Sequence, residues 1–297
     1  MNYPEFRQAF IKELQKLLSE DVKAKLVDVE RLNSTVRHGI LFTKEGEKIS
    51  PTIYLETYYS EYKNGELLDD LVEAVYDCYL NETKQSVPEC IYRLGEFNFV
   101  KNNLFTKLIH YDENAILLQD TPHRRFLDFA IVVYYELEEE EGIQGTILIK
   151  KALLSAWKIT EDELLDWAIQ NTKDKKKTIV ENIVNILESR LSEDEIIKYN
   201  NSANKMYVIT NDRKTLGAIC IYDEEVLEEV FHLFNDDYFL LPASIHEWIA
   251  VAANDVEDVH YLEWIVKAVN ETDVSPEEIL SNNVYLYRNS ARKILVL

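Results

Sequence analysis

Along residues 3–18 the apolar positions fall on one helical stripe. Phe6, Phe10, Ile11, Leu14, Leu17 and Leu18 recur at helical steps with charges opposite them, as in a surface helix that buries one face. The period then changes. KAKLVDVERLN (23–33) alternates and RHGILFTKEG follows it, which predicts two antiparallel strands. PTIYLETYYSEYKNG, from Pro51, starts as a strand and is expected to turn helical near Tyr58. ELLDDLVEAVYDCYLNE, from Glu66, places Leu67, Leu71, Val75 and Tyr79 at helical spacing. Residues 86 to 103 are less regular.

TKLIHY, RFLDFAIVVYYEL and GTILIK read as strands, and FAIVVYY (129–135) is apolar on both faces, which predicts a central strand covered on two sides. TEDELLDWAIQNT (160–172) opens with Thr160 and Glu163 in capping-box spacing and predicts a helix. A further helix is expected through TIVENIVNILESRL. LSEDEIIKYNNSANK (191–205) ends polar and Asn-rich, and the pattern restarts beyond it. The expected division is therefore 1–192 and 205–297.

In the second part MYVITN and LGAICIY flank NDRKT and suggest a β-hairpin. EEVLEEVFHLFN predicts a helix, YFLLP a strand and DVEDVHYLEWIVKAVN a long helix. SPEEILSN predicts a short helix capped by Ser275, with Pro276 at its first position. VYLYRNSARKILVL predicts a closing hairpin around RNSA. Helices and strands come in local clusters without strict alternation. The expected fold class is α+β, mostly antiparallel sheets packed with helices, in two halves.

Composition narrows this further. The chain has 297 residues, enough for roughly two domains with cores that need no staples. Only 7 Gly and 6 Pro are present, so tight turns are few and a barrel of many short strands is disfavoured. The net charge of −22 repels nucleic acid and anionic lipid, so no direct nucleic-acid binding is expected. The basic run KDKKK (173–177) reads as a solvated helix-end cluster, and ELEEEE (136–141) as an acidic hairpin tip or loop. Cys78, Cys90 and Cys220 are widely spaced and suit neither a zinc ribbon nor a disulfide framework. The start MNYPEFRQAFIKELQKLL lacks an apolar signal region, and no apolar run approaches membrane-spanning length. A cytoplasmic protein without membrane association is expected; the oligomeric state is not readable.

Two polar concentrations stand out. In LPASIHEWIAVAA (241–253), Ser244, His246 and Glu247 lie together. Ser244 and Glu247 have capping-box spacing, which would start a helix; the weak alternation after Trp248 suits a strand equally. A zinc-protease helix would need a second histidine where Ala250 stands. In TPHRRFLDFA (121–130), His123, Arg124, Arg125 and Asp128 sit where a loop is expected to enter the central strand, with Asp128 expected to pair an arginine. Phosphate-cradling, dinucleotide, nucleophile-elbow and paired Cys-x-x-Cys motifs are missing. The candidate binding residues are His123, Arg124, Asp128, Ser244, His246 and Glu247. No catalytic residue, metal or cofactor is assigned.

SPTIYLETYYSEYKNG (50–65), RFLDFAIVVYY (125–135), ITEDELLDWAIQNT (159–172), MYVITNDRKTLGAICI (206–221), LPASIHE (241–247) and VNETDVSPEEILSNNVYLY (269–287) occur in this order. Together they resemble the bacterial domain of unknown function 5688 family, common in anaerobic gut bacteria. The family form has Ser at the place of Ala243, with Ser244, His246 and Glu247 kept. The resemblance implies a cytosolic protein without an assigned activity and supplies no catalytic residue. The leading expectation is a non-enzymatic acidic protein that binds a protein partner or small ligand through 241–247 and 121–128. One alternative is a nucleic-acid mimic that occupies a nuclease or DNA-binding protein. Another is a hydrolase or transferase that uses a His/Asp pair.

Overall fold

The computed structural model describes residues 1–46, 51–84, 89–137, 145–187, 194 and 205–297. The chain forms two compact units, Met1–Ile91 and Tyr92–Leu297. The segment 191–205, where the sequence suggests a boundary, lies outside the described residues except for Asp194 and Lys205. The part of ELEEEE beyond Leu137 lies outside them as well.

In the first unit Asn2 caps the helix Tyr3–Leu14 in a capping box with Glu5. Phe6, Phe10 and Leu14 turn inward and are fully buried, each burial contributing about 1.5–3 kcal/mol. They pack with Ile40, Phe42 and Val75 in one core. Strand β1 (Val22–Glu30) runs antiparallel to β2 (Val36–Lys44), which pairs with β3 (Thr52–Tyr54). The helices Glu56–Lys63 and Leu68–Lys84 follow. The amphipathic stripe is thus the helix face, though the helix stops at Leu14 and leaves Leu17 exposed.

Among the described residues the second unit holds two antiparallel sheets. In the first, β6 (Phe129–Glu136) lies between β4 (Leu104–His110) and β5 (His123–Phe126), and β7 (Thr146–Leu148) also pairs with β6. All but the last residue of β6 are buried, as two-sided apolarity predicts. RFLDFAIVVYY is a hairpin rather than one strand: Leu127 adopts φ 57° and turns β5 into β6. The helix Glu161–Lys175 carries the expected Thr160–Glu163 capping box. It rests on β4, where Thr172 Oγ1 accepts the amide of Thr106 at 2.8 Å.

The second sheet has the order β13-β12-β10-β11-β9-β8. Its strands are β8 (Thr178–Asn182), β9 (Met206–Asn211), β10 (Tyr238–Ser244), β11 (Glu247–Ala252), β12 (Tyr285–Arg288) and β13 (Lys293–Val296). Because β8 pairs with β9, residues on both sides of 191–205 share one sheet. TIVEN is therefore a strand where a helix is expected; its β-branched residues find a partner edge that local periodicity cannot reveal. LGAICIY forms no hairpin strand. Gly217–Tyr222 is a 3₁₀ turn with Gly217 to Ile221 all buried, and a short buried apolar run carries no period to tell the two apart. The expected helix at Ser275 is a single turn, closed by the Glu278 amide on Ser275 O at 2.8 Å. The helices Glu224–Phe234 and Val259–Thr272 form as the pattern predicts. The fold class is α+β.

Candidate functional site

LPASIHE is the tip of a β-hairpin. β10 ends at Ser244, β11 begins at Glu247, and Ser244 pairs with Glu247 across the turn. The capping-box expectation fails because no helix starts here: Ser244 Oγ accepts the amide of His246, at 3.0 Å, and not that of Glu247. His246 Nδ1 accepts the amide of Leu216 at 2.9 Å, and its carbonyl accepts from Thr210 Oγ1 at 2.9 Å. Its Nε2 lies 3.6 Å from Glu278. Leu216 is itself in the left-handed region, φ 56°, so the imidazole satisfies an amide in a backbone turn that repetitive structure cannot serve. The indole of Trp248 donates to Ala218 O at 2.8 Å. His246 therefore stitches a loop to the hairpin, and Ser244 braces the tip itself.

Asp128 pairs no arginine among the described residues. Its Oδ2 accepts from Tyr285 OH at 2.7 Å and Asn283 Nδ2 at 3.0 Å. Tyr285 OH also reaches Ser281 Oγ at 2.8 Å, and His110 Nε2 stands 3.9 Å from the carboxylate. Burial, then the Asp128 charge, push the Tyr285 hydroxyl far above the ordinary tyrosine range. Asp128 Oδ1 is buried without a hydrogen-bond partner among the described residues. His123 and Arg124 face elsewhere, on β5 rather than in a loop. The His123 amide donates to Glu161 at 2.7 Å and its Nδ1 contacts Thr121 O at 2.9 Å. Arg124 reaches Asp166 at 2.8 Å and Asp162 at 3.6 Å. The segment 278–285 touches both Asp128 and His246, while His123 and Arg124 bind the start of the Glu161–Lys175 helix. His123 and Arg124 thus share one set of partners, Asp128 and His246 share the segment 278–285, and Glu247 is placed by its pairing with Ser244 across the hairpin turn.

A groove of about 730 Å³ opens away from the candidate binding residues, between the end of the Glu161–Lys175 helix and the start of Glu224–Phe234. One bank carries Lys173 and Lys177, the other Glu225 and Glu229, and Ile169 and Val226 supply apolar wall. Lys173 crosses it to Asp223 at 2.9 Å and Glu225 at 3.4 Å. KDKKK is thus only partly a solvated cluster. Lys176 is buried, holds both oxygens of Glu136 at 2.7 and 2.6 Å, and stands over the Phe105 ring. Lys175 binds Asn102 O at 2.7 Å. The available signal was the basic run itself, followed by the acidic start of the next predicted helix; nothing local says that the two face each other.

Cys220 also lines the groove, and burial pushes its thiol up to about 11. The fold therefore favours the neutral thiol. Its contribution to stability is full below the ordinary thiol value, 9.0, and is lost as pH rises from there through 11. Burial moves the Tyr238 and Tyr285 hydroxyls in the same direction. The urea midpoint is expected to fall between about pH 8 and about pH 10.5; an unchanged midpoint would show that these groups ionise freely in the fold.

The first unit has its own polar cluster. Asp28 and His38 are cross-strand neighbours on β1 and β2 with Oδ1 and Nδ1 2.8 Å apart, and Arg7 reaches the same oxygen at 2.6 Å. Those two partners, His38 first, hold the Asp28 carboxyl below its usual range. In the same unit Tyr3 OH, Arg7 Nε and Glu56 Oε2 are buried without hydrogen-bond partners of normal geometry among the described residues, and burial, then the Glu56 carboxylate, push the Tyr3 hydroxyl above its ordinary range. Among the described residues no group of three or more His, Cys, Asp or Glu is arranged to hold a metal ion. No helix among them is long and apolar enough to cross a membrane.

The residues that stitch the hairpin tip and hold Asp128 come from the segments that carry the family resemblance. Comparison with curated proteins and with solved structures finds no match. A family model described as a family of unknown function, DUF5688, matches residues 3–289, and the chain belongs to that family.

Proposed function

We propose that the protein is a binding protein, and that its groove takes a small ligand carrying both an anionic and a cationic group. The observation that carries this reading is the opposition of Lys173 and Lys177 to Glu225 and Glu229 across about 730 Å³. That volume lies in the range of small-molecule sites, which bury an apolar body and orient it with a few polar groups. A ligand carboxylate would meet the lysine bank, its ammonium the carboxylate bank, and its body Ile169 and Val226. The Lys173 bridges are half exposed and exchangeable, since such pairs contribute at most about 1 kcal/mol. Cys220, the thiol in the groove, is held protonated, which favours binding over nucleophilic chemistry. The acidic residues recur in ion pairs with bases, as at Arg124–Asp166, Lys176–Glu136 and Arg292–Glu228, an arrangement that suits a folded surface better than a mimic of phosphate rows.

A thermal-shift panel of free amino acids and dipeptides at millimolar concentration tests the proposal. At least one compound is expected to raise the melting temperature, because a ligand at 100 times its Kd stabilises by about 2.7 kcal/mol. Lys177→Glu and Glu229→Lys should each abolish that shift without lowering the melting temperature of the free protein. A panel with no responder, or a response that survives both reversals, rejects the groove as the site.

A further inference from the structure

On the helix Val259–Thr272 the inner face is fully used. Leu262 and Val266 pack in a core with Phe239 and Leu241, and Asn270 Nδ2 donates to Ser281 O at 3.0 Å and Asn282 Oδ1 at 2.9 Å. The outer face is different. Tyr261 and Trp264 are 60% and 62% exposed, with parallel rings 5.9 Å apart and 16° between their planes. Single exposed aromatics are ordinary. A tyrosine and a tryptophan in mutual contact, neither covered, form a rigid apolar plate of the kind enriched at protein interfaces. Exposed Glu257 and Asp258 precede the plate, and exposed Glu271 and Asp273 follow it. His260 is tied to Glu263 at 3.1 Å, and Lys267 is the lysine of this helix.

We infer that this face docks a basic polypeptide segment, with arginine side chains stacked on Tyr261 and Trp264 and bonded to the flanking carboxylates. The plate offers ring faces that attract cations, and the guanidinium both stacks and donates in a planar fork. The rim supplies acceptors at both ends, and the net charge of −22 speeds the encounter. The same charge argues against the other occupants. A second copy would bring an identical acidic rim against this one, and nucleic acid or anionic lipid would be repelled. The inference rests on a different surface from the groove and stands without it.

The test uses the full chain at physiological salt, with hexa-arginine and hexalysine peptides as probes and tryptophan fluorescence and calorimetry as readouts. Hexa-arginine is expected to bind roughly fivefold more tightly than hexalysine, because only the guanidinium stacks well. Tyr261→Ala with Trp264→Ala should weaken hexa-arginine roughly tenfold and erase the preference, with an unchanged melting curve since both side chains are exposed. Glu257→Gln with Glu271→Gln should weaken both peptides alike. Equal binding of the two peptides, unaffected by loss of the aromatics, would overturn the inference in favour of unspecific attraction to net charge. So would a dimer in sedimentation that Trp264→Ala dissolves, or Trp264-dependent binding of cellohexaose without binding of hexa-arginine.

Discussion

Trp248→Ala is expected to destabilise the Tyr92–Leu297 unit by about 3–5 kcal/mol, the range for deletion of a fully buried aromatic side chain. Trp248 has no exposed surface. Its ring lies 5.8 Å from Phe129 of the four-stranded sheet and 5.2 Å from Tyr285 of the six-stranded one, both edge-on. Its indole N–H holds Ala218 O at 2.8 Å. Truncation opens a cavity where the two sheets of this unit meet, and it leaves the Ala218 carbonyl, in a buried turn, without its donor. The loss should appear as a lower urea midpoint. Residual tryptophan fluorescence reports this unit alone, since Trp157, Trp167 and Trp264 also lie in it. A fall below about 1 kcal/mol would mean that the site collapses around the smaller residue and that the aromatic contacts contribute little.

Gly217→Ala is the second large effect, at about 3 kcal/mol, the upper end for overpacking. A Cβ there would sit 2.4 Å from Thr210 Oγ1 and 2.7 Å from both Asn211 N and His246 O. Two of those atoms are backbone, in β9 and in the hairpin tip, so neither can step aside. Thr210 Oγ1 is itself held by His246 O. The added methyl must therefore push the Gly217–Tyr222 turn off the hairpin, which also strains the bond from Trp248 to Ala218. Gly95→Ala is the control, because a Cβ at Gly95 meets nothing within 4 Å. It should leave the midpoint unchanged or raise it slightly through the smaller entropy of the unfolded chain. If both substitutions behave alike, close packing at Gly217 does not limit stability.

The polar residues that drew attention in the sequence are, in the fold, supports for backbone. His246 looks like a candidate ligand because histidine beside glutamate is rare in this chain; in three dimensions its Nδ1 is occupied by the amide of Leu216. Asp128 looks like half of an arginine pair, and it receives a tyrosine hydroxyl and an asparagine amide from more than 150 positions away. The groove shows the reverse. Its lysines stand in a run that reads as solvent-facing, and its carboxylates open a helix where acids are ordinary. Neither bank is unusual until the helix ends face each other.

Local sequence pattern determined the amphipathic helices Tyr3–Leu14 and Val259–Thr272, the capped helix Glu161–Lys175, the strand that is buried on both faces and, from the clustering of elements, the α+β class. Those features depend on side-chain spacing over a few turns, which each segment carries by itself. Tertiary structure decided that TIVEN pairs as a strand with β9, that GAICIY coils into a 3₁₀ turn, and that residues on both sides of 191–205 share a sheet. It also decided what His246, Asp128 and Lys176 touch. Those outcomes depend on which distant edge, amide or carboxylate arrives to complete a hydrogen bond, and no local pattern encodes the identity of a partner so far along the chain.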